Sequence, residues 1–355
     1  MRDFALAPEV EELRAAAERL AQRELQPNVR YAEKAGRWPP EVLAVLEGFP
    51  LGGLDLPERL GGVEAGALAK VVVLETLAMG DAAGLAAADQ PGNAVGAVLA
   101  CPEASLQGEV VASCRNGAAQ CAFTVLDVEN GSLQLDWAPA WPALQWIWVS
   151  EGDALRLLEV TSPPQPSLAL AFQASGAVSS PFEGATVRGA WELSPRAALA
   201  VRGRARLWAA AVALGIAQAA LDETISYTKN RIVFGKPVAH HQGNAFDIAA
   251  VAARVHAARL VVRDAAGSFD REEPDAGFWA TQAWLETMEA AFDSTNLGIQ
   301  LLGGHGFIVD HLAEKRFREA RMLALLAGGL DAAEFDVAAH TLDIPDPLMA
   351  SLERS

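Results

Sequence analysis

The stretch NLGIQLLGGHGFIVDHLAEKRFREARMLALLAGG, residues 296–329, decides how this chain is read. It opens as the end of an apolar helix and breaks at Gly303-Gly304. The glycine-spaced loop GGHGF follows, then a charged helix and a second pair, Gly328-Gly329. Successive glycines allow positive φ and let backbone N–H groups come close to a ligand. A plain corner between two helices has the same look, so the loop needs company. Upstream stands RIVFGKPVAHHQ, residues 231–242, at the end of another long apolar helix.

Composition narrows the setting. Of 355 residues, 51% are hydrophobic and 21% charged, which describes a globular chain long enough for two or three domains. The formal charge of −17 argues against nucleic acid or an anionic membrane as partner. Cys101, Cys114 and Cys121 lack metal-ligand spacing, no metal site is expected, and an odd count suits reduced thiols in a cytoplasm. The N-terminal MRDFALAPEVEELR places acids where a signal peptide needs an apolar core. One apolar run, residues 207–221, is short for a bilayer and contains Gln218, so it reads as a buried bundle helix.

Helical spacing of Val10, Leu13, Ala17, Leu20 and Leu25 opens an N-terminal helical domain, assigned to residues 1–105. From about Val110 the texture changes to short β-forming runs, CAFTVLDV, SLQLDW, WIWVS and LRLLEV, separated by turns. They define a central β-domain over residues 106–194. It holds Trp137, Trp141, Trp146, Trp148 and Trp191, for which sheet-core packing is the commoner use and stacking on a flavin the rarer. Long helices over 202–231, 242–269 and 278–302, with a shorter one over 320–326, make a C-terminal four-helix bundle, residues 195–355. The fold class is α+β, mostly α.

These motifs together resemble the acyl-CoA dehydrogenase family. Its pattern R-x-x-F-G-x-P-x-x-x-x-Q is met by Arg231, Phe234, Gly235, Pro237 and Gln242, and Q-x-x-G-G-x-G-F by Gln300, Gly303, Gly304, Gly306 and Phe307. KRFREAR, residues 315–321, stands for the family's basic run, with Glu319 as its structural acid. The resemblance implies FAD bound between two subunits of a homodimer or homotetramer. Its diphosphate end would lie on Arg231, Phe234, Gln242, Gln300, Gly303 and Gly304. Arg231 would act as a permanently charged fork and the glutamines as neutral amides. The substrate implied is an acyl-CoA or related thioester, met in part by Arg206, with a flavoprotein as electron acceptor.

The sequence departs from the family at two kinds of place. The flavin-ring motifs align only loosely, with DVENGS (127–132) or the region of Ser113-Cys114 for one and WAPAWP (137–142) for the other. FAD is therefore expected to be weakly held or absent. The catalytic glutamate of most members falls at Ala327, and that of other branches at Ala205, just before Arg206. Alanine has no ionisable group and abstracts no proton. Asp331, one helical turn past Ala327, is the nearest substitute; His305 and the pair His240-His241 read as loop residues. Three functions stay open: a dehydrogenase of acyl thioesters with a displaced base, an oxidase- or monooxygenase-like flavoprotein needing none, and a partner subunit that has lost the chemistry.

Overall fold

The computed structural model describes residues 5–115, 120–125, 144–162, 170–175 and 184–344. The N-terminal part comprises α1 (Pro8–Leu20), α2 (Val29–Ala35), α3 (Pro40–Glu47), α4 (Gly66–Gly80), α5 (Ala82–Ala88), α6 (Val95–Ala100) and α7 (Ala104–Arg115). A sheet follows, of β1 (Gln120–Val125), β2 (Leu144–Glu151), β3 (Ala154–Val160) and β4 (Ala185–Glu192), in that spatial order. β1 and β2 run parallel, the other pairs antiparallel. Next come α8 (Pro195–Asn230), a two-stranded hairpin of β5 (Ile232–Val233) and β6 (Lys236–Pro237), α9 (Gln242–Asp270) and α10 (Ala276–Leu302). α11 (Ala313–Leu323) and α12 (Gly329–Leu342) close the described chain.

α8 is the centre of the molecule. Ser194 accepts a hydrogen bond from the Ala197 N–H and Pro195 takes the first helical position, so the start is fixed by a cap and a preset φ. Alanines and glycines on the helix then let neighbours come unusually close. A Cβ on Gly203 would meet the Gly277 Cα at 2.6 Å, and one on Gly215 would meet the Glu75 carbonyl of α4 at 2.4 Å. Further along, the Ser294 hydroxyl donates to the Ala217 carbonyl at 2.6 Å, and Gly298 lies beside Thr224. These pairs advance together along both helices, so α8 and α10 run parallel and end at the same pole. The most apolar stretch of α8 is 89% buried, as expected of a core helix.

α4 is buried on nearly every side, against α1, α8 and α9. Its first N–H groups, on Ala67 and Leu68, donate to the Asp270 carboxylate at 2.6 and 3.0 Å, so the end of α9 caps a helix made some 200 residues earlier. Lys315 of α11 likewise reaches back to Asp81 at 2.5 Å. Trp146 and Trp148 fill the core side of the sheet, while the indole N–H of Trp146 donates to Ser113.

Two expectations shift. α7 crosses the expected domain boundary at residue 105, and the β texture assigned from Val110 begins only at Gln120. Leu106, Val110, Val111 and Cys114 are all buried at helical spacing, which a short window of β-formers conceals. The last bundle helix begins at Ala313 rather than at residue 320, because its first turns are charged yet partly buried in ion pairs. The runs 127–132 and 137–142 and the tryptophans at 137 and 141 lie outside the described residues.

The glycine contacts give opposite expectations. Gly203→Ala gains about 1 kcal/mol of helix propensity. It also drives a methyl group into backbone that cannot move aside, at about 1–3 kcal/mol. Net destabilisation is expected, read from urea unfolding. Gly108 lies in α7 with nothing within 4 Å of a built Cβ, so Gly108→Ala should raise stability by about 0.5–1 kcal/mol. Equal effects at the two positions would contradict the close helix approach.

Candidate active site

The two glycine-bearing motifs sit together at the pole where α8 and α10 end. α8 stops at Asn230, and the chain turns through the β5–β6 hairpin with Phe234 at φ 52° and Gly235 at φ 80°. Two successive positive φ values suit a tight hairpin, and for phenylalanine the first is strained. Phe234 is 94% exposed, and its ring stands edge-on to His241. At the end of α10, Gly303 has φ 59° and ψ −132°, a region open to glycine alone. The Tyr227 hydroxyl meets His305 Nδ1 at 3.0 Å, which ties the GGHGF loop to the last turn of α8.

These residues suit the diphosphate end of FAD. Arg231, Gln242 and Gln300 are exposed, and among the described residues the Arg231 guanidinium has no ion-pair partner. Built Cβ atoms on Gly303 and Gly304 meet nothing within 4 Å, so space is open against that backbone. A charged fork, two amides and bare backbone are the donors a diphosphate needs. His240 is exposed and His241 bonds the Val233 carbonyl; no cluster able to hold a metal occurs among the described residues.

The second centre lies where all three parts of the chain meet. Ala205 of α8 and Ala327 of the turn before α12 belong to one buried apolar cluster with Val95, Val98, Phe123 and Trp148. The two places where a catalytic carboxylate is expected are thus brought together, and both are apolar. Ala327 itself has φ 50° and ψ 38°, left-handed backbone that costs an alanine about 1–2 kcal/mol.

Arg206 is fully buried beside them and faces inward. It donates to Asp336 at 2.5 Å, to the Thr281 hydroxyl at 3.2 Å and to the Ala327 carbonyl at 3.3 Å, while Nε finds no partner. Burial lowers its pKa from the ordinary arginine value, with Asp336 opposing. Arg202 grips the same carboxylate at 2.7 and 3.0 Å. Burial alone would raise the Asp336 carboxyl; Arg206 and Arg202 outweigh it and hold it below the usual carboxylate value. Arg206, expected at the substrate, is thus engaged in an internal ion pair and in a bond to the carbonyl of the 327 turn.

The other acids do not stand in as the base. Asp331 is exposed on the first turn of α12, outside the buried cluster it was expected to reach. Glu319 is buried, and desolvation pushes it up to about 7 despite the Lys315 ammonium bonded to it. That value would suit a general base, but its ammonium partner occupies it and ties it to Asp81, as a structural acid. Asp336 was not visible as a participant, since nothing in its local sequence separates it from Asp331 or Glu334. Only the fold places it against an arginine 130 positions earlier.

Residues 7–101 match the family model of the acyl-CoA dehydrogenase N-terminal domain, and residues 196–341 that of the C-terminal domain. The chain belongs to the acyl-CoA dehydrogenase family. It is 29% identical over 363 aligned positions to the probable acyl-CoA dehydrogenase FadE25 of Mycobacterium tuberculosis, covering 92% of this chain and 93% of that one. Human mitochondrial short-chain specific acyl-CoA dehydrogenase is 26% identical, over 91% and 87% of the two chains. The structure of butyryl-CoA dehydrogenase from Megasphaera elsdenii superposes with a TM-score of 0.81 at 19% identity, covering 96% of this chain and all of that one. The acyl-CoA dehydrogenase fold expected from the motifs is the fold observed.

Asp336→Asn leaves two arginines facing a neutral amide, one of them with no access to water. Breaking a buried pair in this way costs about 3–5 kcal/mol, to be read from urea unfolding at neutral pH. Because the folded pKa is lowered, the wild-type advantage is present above the unfolded value of 3.8 and fades as pH falls through the folded one. The gap between wild type and variant should therefore narrow in acid. A variant as stable as wild type at neutral pH would show that Asp336 does not carry this charge balance.

Proposed function

We propose that the protein is an FAD-dependent oxidoreductase of acyl thioesters that works without a carboxylate at either of the family's two base positions. The observation that carries this reading is the exposed Arg231, without an ion-pair partner among the described residues, at the same pole as the open Gly303-Gly304 backbone. Bound there, FAD supplies a hydride acceptor for dehydrogenation. Relatives named as acyl-CoA and butyryl-CoA dehydrogenases support a thioester substrate, and a structural neighbour described as an electron transferring flavoprotein of Acidaminococcus fermentans supports a flavoprotein acceptor.

The cofactor pole also supports a homodimer. Ile232, Phe234, Phe246, Phe307 and Val309 are all exposed on or beside the two loops. Exposed apolar side chains in such number commonly mark a surface covered by a partner. A second copy seated there would shelter both the apolar rim and the diphosphate. A strictly monomeric species in solution scattering at micromolar concentration would overturn this assembly.

A second reading, a catalytically silent partner subunit, is favoured by one fact: Ala205 and Ala327 are both buried in apolar surroundings. Two measurements separate the readings. In the first, flavin fluorescence is titrated with protein. Wild type should bind FAD, and Arg231→Ala should weaken binding about 10- to 100-fold, the worth of one hydrogen bond to a charged group. Unchanged affinity would remove Arg231 from the site.

In the second, acyl-CoA dehydrogenation is assayed with an artificial electron acceptor. A missing general base typically costs about 10²–10⁴-fold, so slow turnover is expected, reduced by about that factor yet above background; a silent subunit would give background alone. Robust turnover would mean a base outside Ala205 and Ala327. Failure to bind FAD at all would favour the silent subunit.

A further inference from the structure

We propose that Trp208 is a plug that restricts the acyl group accepted by this chain to a short one. The inference rests on the thioester reading above, in which the reacting carbons lie against Ala205 and Ala327. Trp208 follows Ala205 by three residues on α8, about one helical turn along nearly the same face. Its indole is buried, and Nε1 donates to Asp89 Oδ2 at 2.7 Å. The other Asp89 oxygen accepts from Lys70 at 2.5 Å, and Lys70 also donates to the Leu51 carbonyl at 2.6 Å. The ring is therefore braced by a buried ion pair anchored to backbone, not held by packing alone.

The space beside it is small. A cavity of about 20 Å³ lies between Trp208, Leu207, Val95 and the apolar side of α4, with Asp55, Lys70 and Arg204 at its edge. That is room for one water molecule and for no further length of hydrocarbon. Val95 joins this cavity to the cluster containing Ala205 and Ala327, so a tail leaving the reacting carbons in this direction meets the plug first. Moving the indole aside would strip Asp89 of a donor inside the protein, where an unmet acceptor is costly.

The test uses binding, which needs no base. The full chain, supplied with FAD, is titrated calorimetrically with butyryl-CoA and with octanoyl-CoA. Wild type should bind butyryl-CoA at least about tenfold tighter. Trp208→Ala should gain octanoyl-CoA binding while keeping butyryl-CoA, with far-ultraviolet circular dichroism confirming its fold. If that variant does not fold, Trp208→Phe removes the N–H brace with less lost volume and should narrow the preference. Equal binding of both thioesters by wild type overturns the plug and leaves the thioester reading standing. So does a folded Trp208→Ala that still refuses octanoyl-CoA. Binding of neither thioester by any form overturns the thioester reading, and the plug with it.

Discussion

The close approach of α8 to α10 at Gly203 and Gly277 sets the geometry on which the rest depends. Two helices can meet backbone to backbone only where neither carries a side chain, and a built Cβ there would lie 2.6 Å from the partner's Cα. This contact locks the two helices in parallel, in one register. Everything at the cofactor pole follows from that register, since Tyr227 and His305 touch only if both helices end level. It also brings Arg206 within reach of Thr281, one helical turn past Gly277. The small residues of α8 are thus positional, and their low bulk is what lets distant motifs converge.

The centre of the molecule shows how a charge network and a missing base fit together. A buried arginine requires a carboxylate, and Asp336 supplies it with help from Arg202. An ionised glutamate at 205 or 327 would lie beside the same guanidinium and compete with Asp336 for it. It would also face desolvation in a cluster built from Val95, Phe123 and Trp148. Alanine at both places leaves the ion pair intact, and the Ala327 backbone carbonyl accepts from Arg206 Nη2. The arginine that the family motif marks for substrate serves here to hold a turn.

Much of this was legible in the sequence, and the boundary of legibility has a physical basis. α8, α9 and α10 were readable because each is long and ends in a glycine or proline signal. The pole was readable because its glycines and its arginine stand at fixed spacing within two short segments. The end of α7 is hidden because the run VVASC, residues 110–114, looks the same in a strand and in a helix until the partner surface is known. Asp336, Asp89 and Lys70 were invisible for a different reason. Their meaning depends on partners 19 to 134 residues away, and no local pattern encodes such a pairing. The left-handed backbone at Phe234 and Ala327 likewise gives no sign in side chains that seldom adopt it.

The cap that Asp270 places on α4 has a bearing on how the chain is made. α4 is buried around nearly its whole circumference, and its first amides find their acceptor at the end of α9. On a ribosome adding about 5–20 residues each second, some 200 residues separate the two, so α4 waits on the order of ten seconds or more. During that interval the segment exposes a sticky cylinder with an uncapped end, long before α8 emerges to cover it. The N-terminal helices thus gain their last contacts only after α8 and α9 have been made. They are a passenger awaiting its carrier, and the nascent chain is most open to chaperones, and to self-association, while its first third is complete and its last is still unmade.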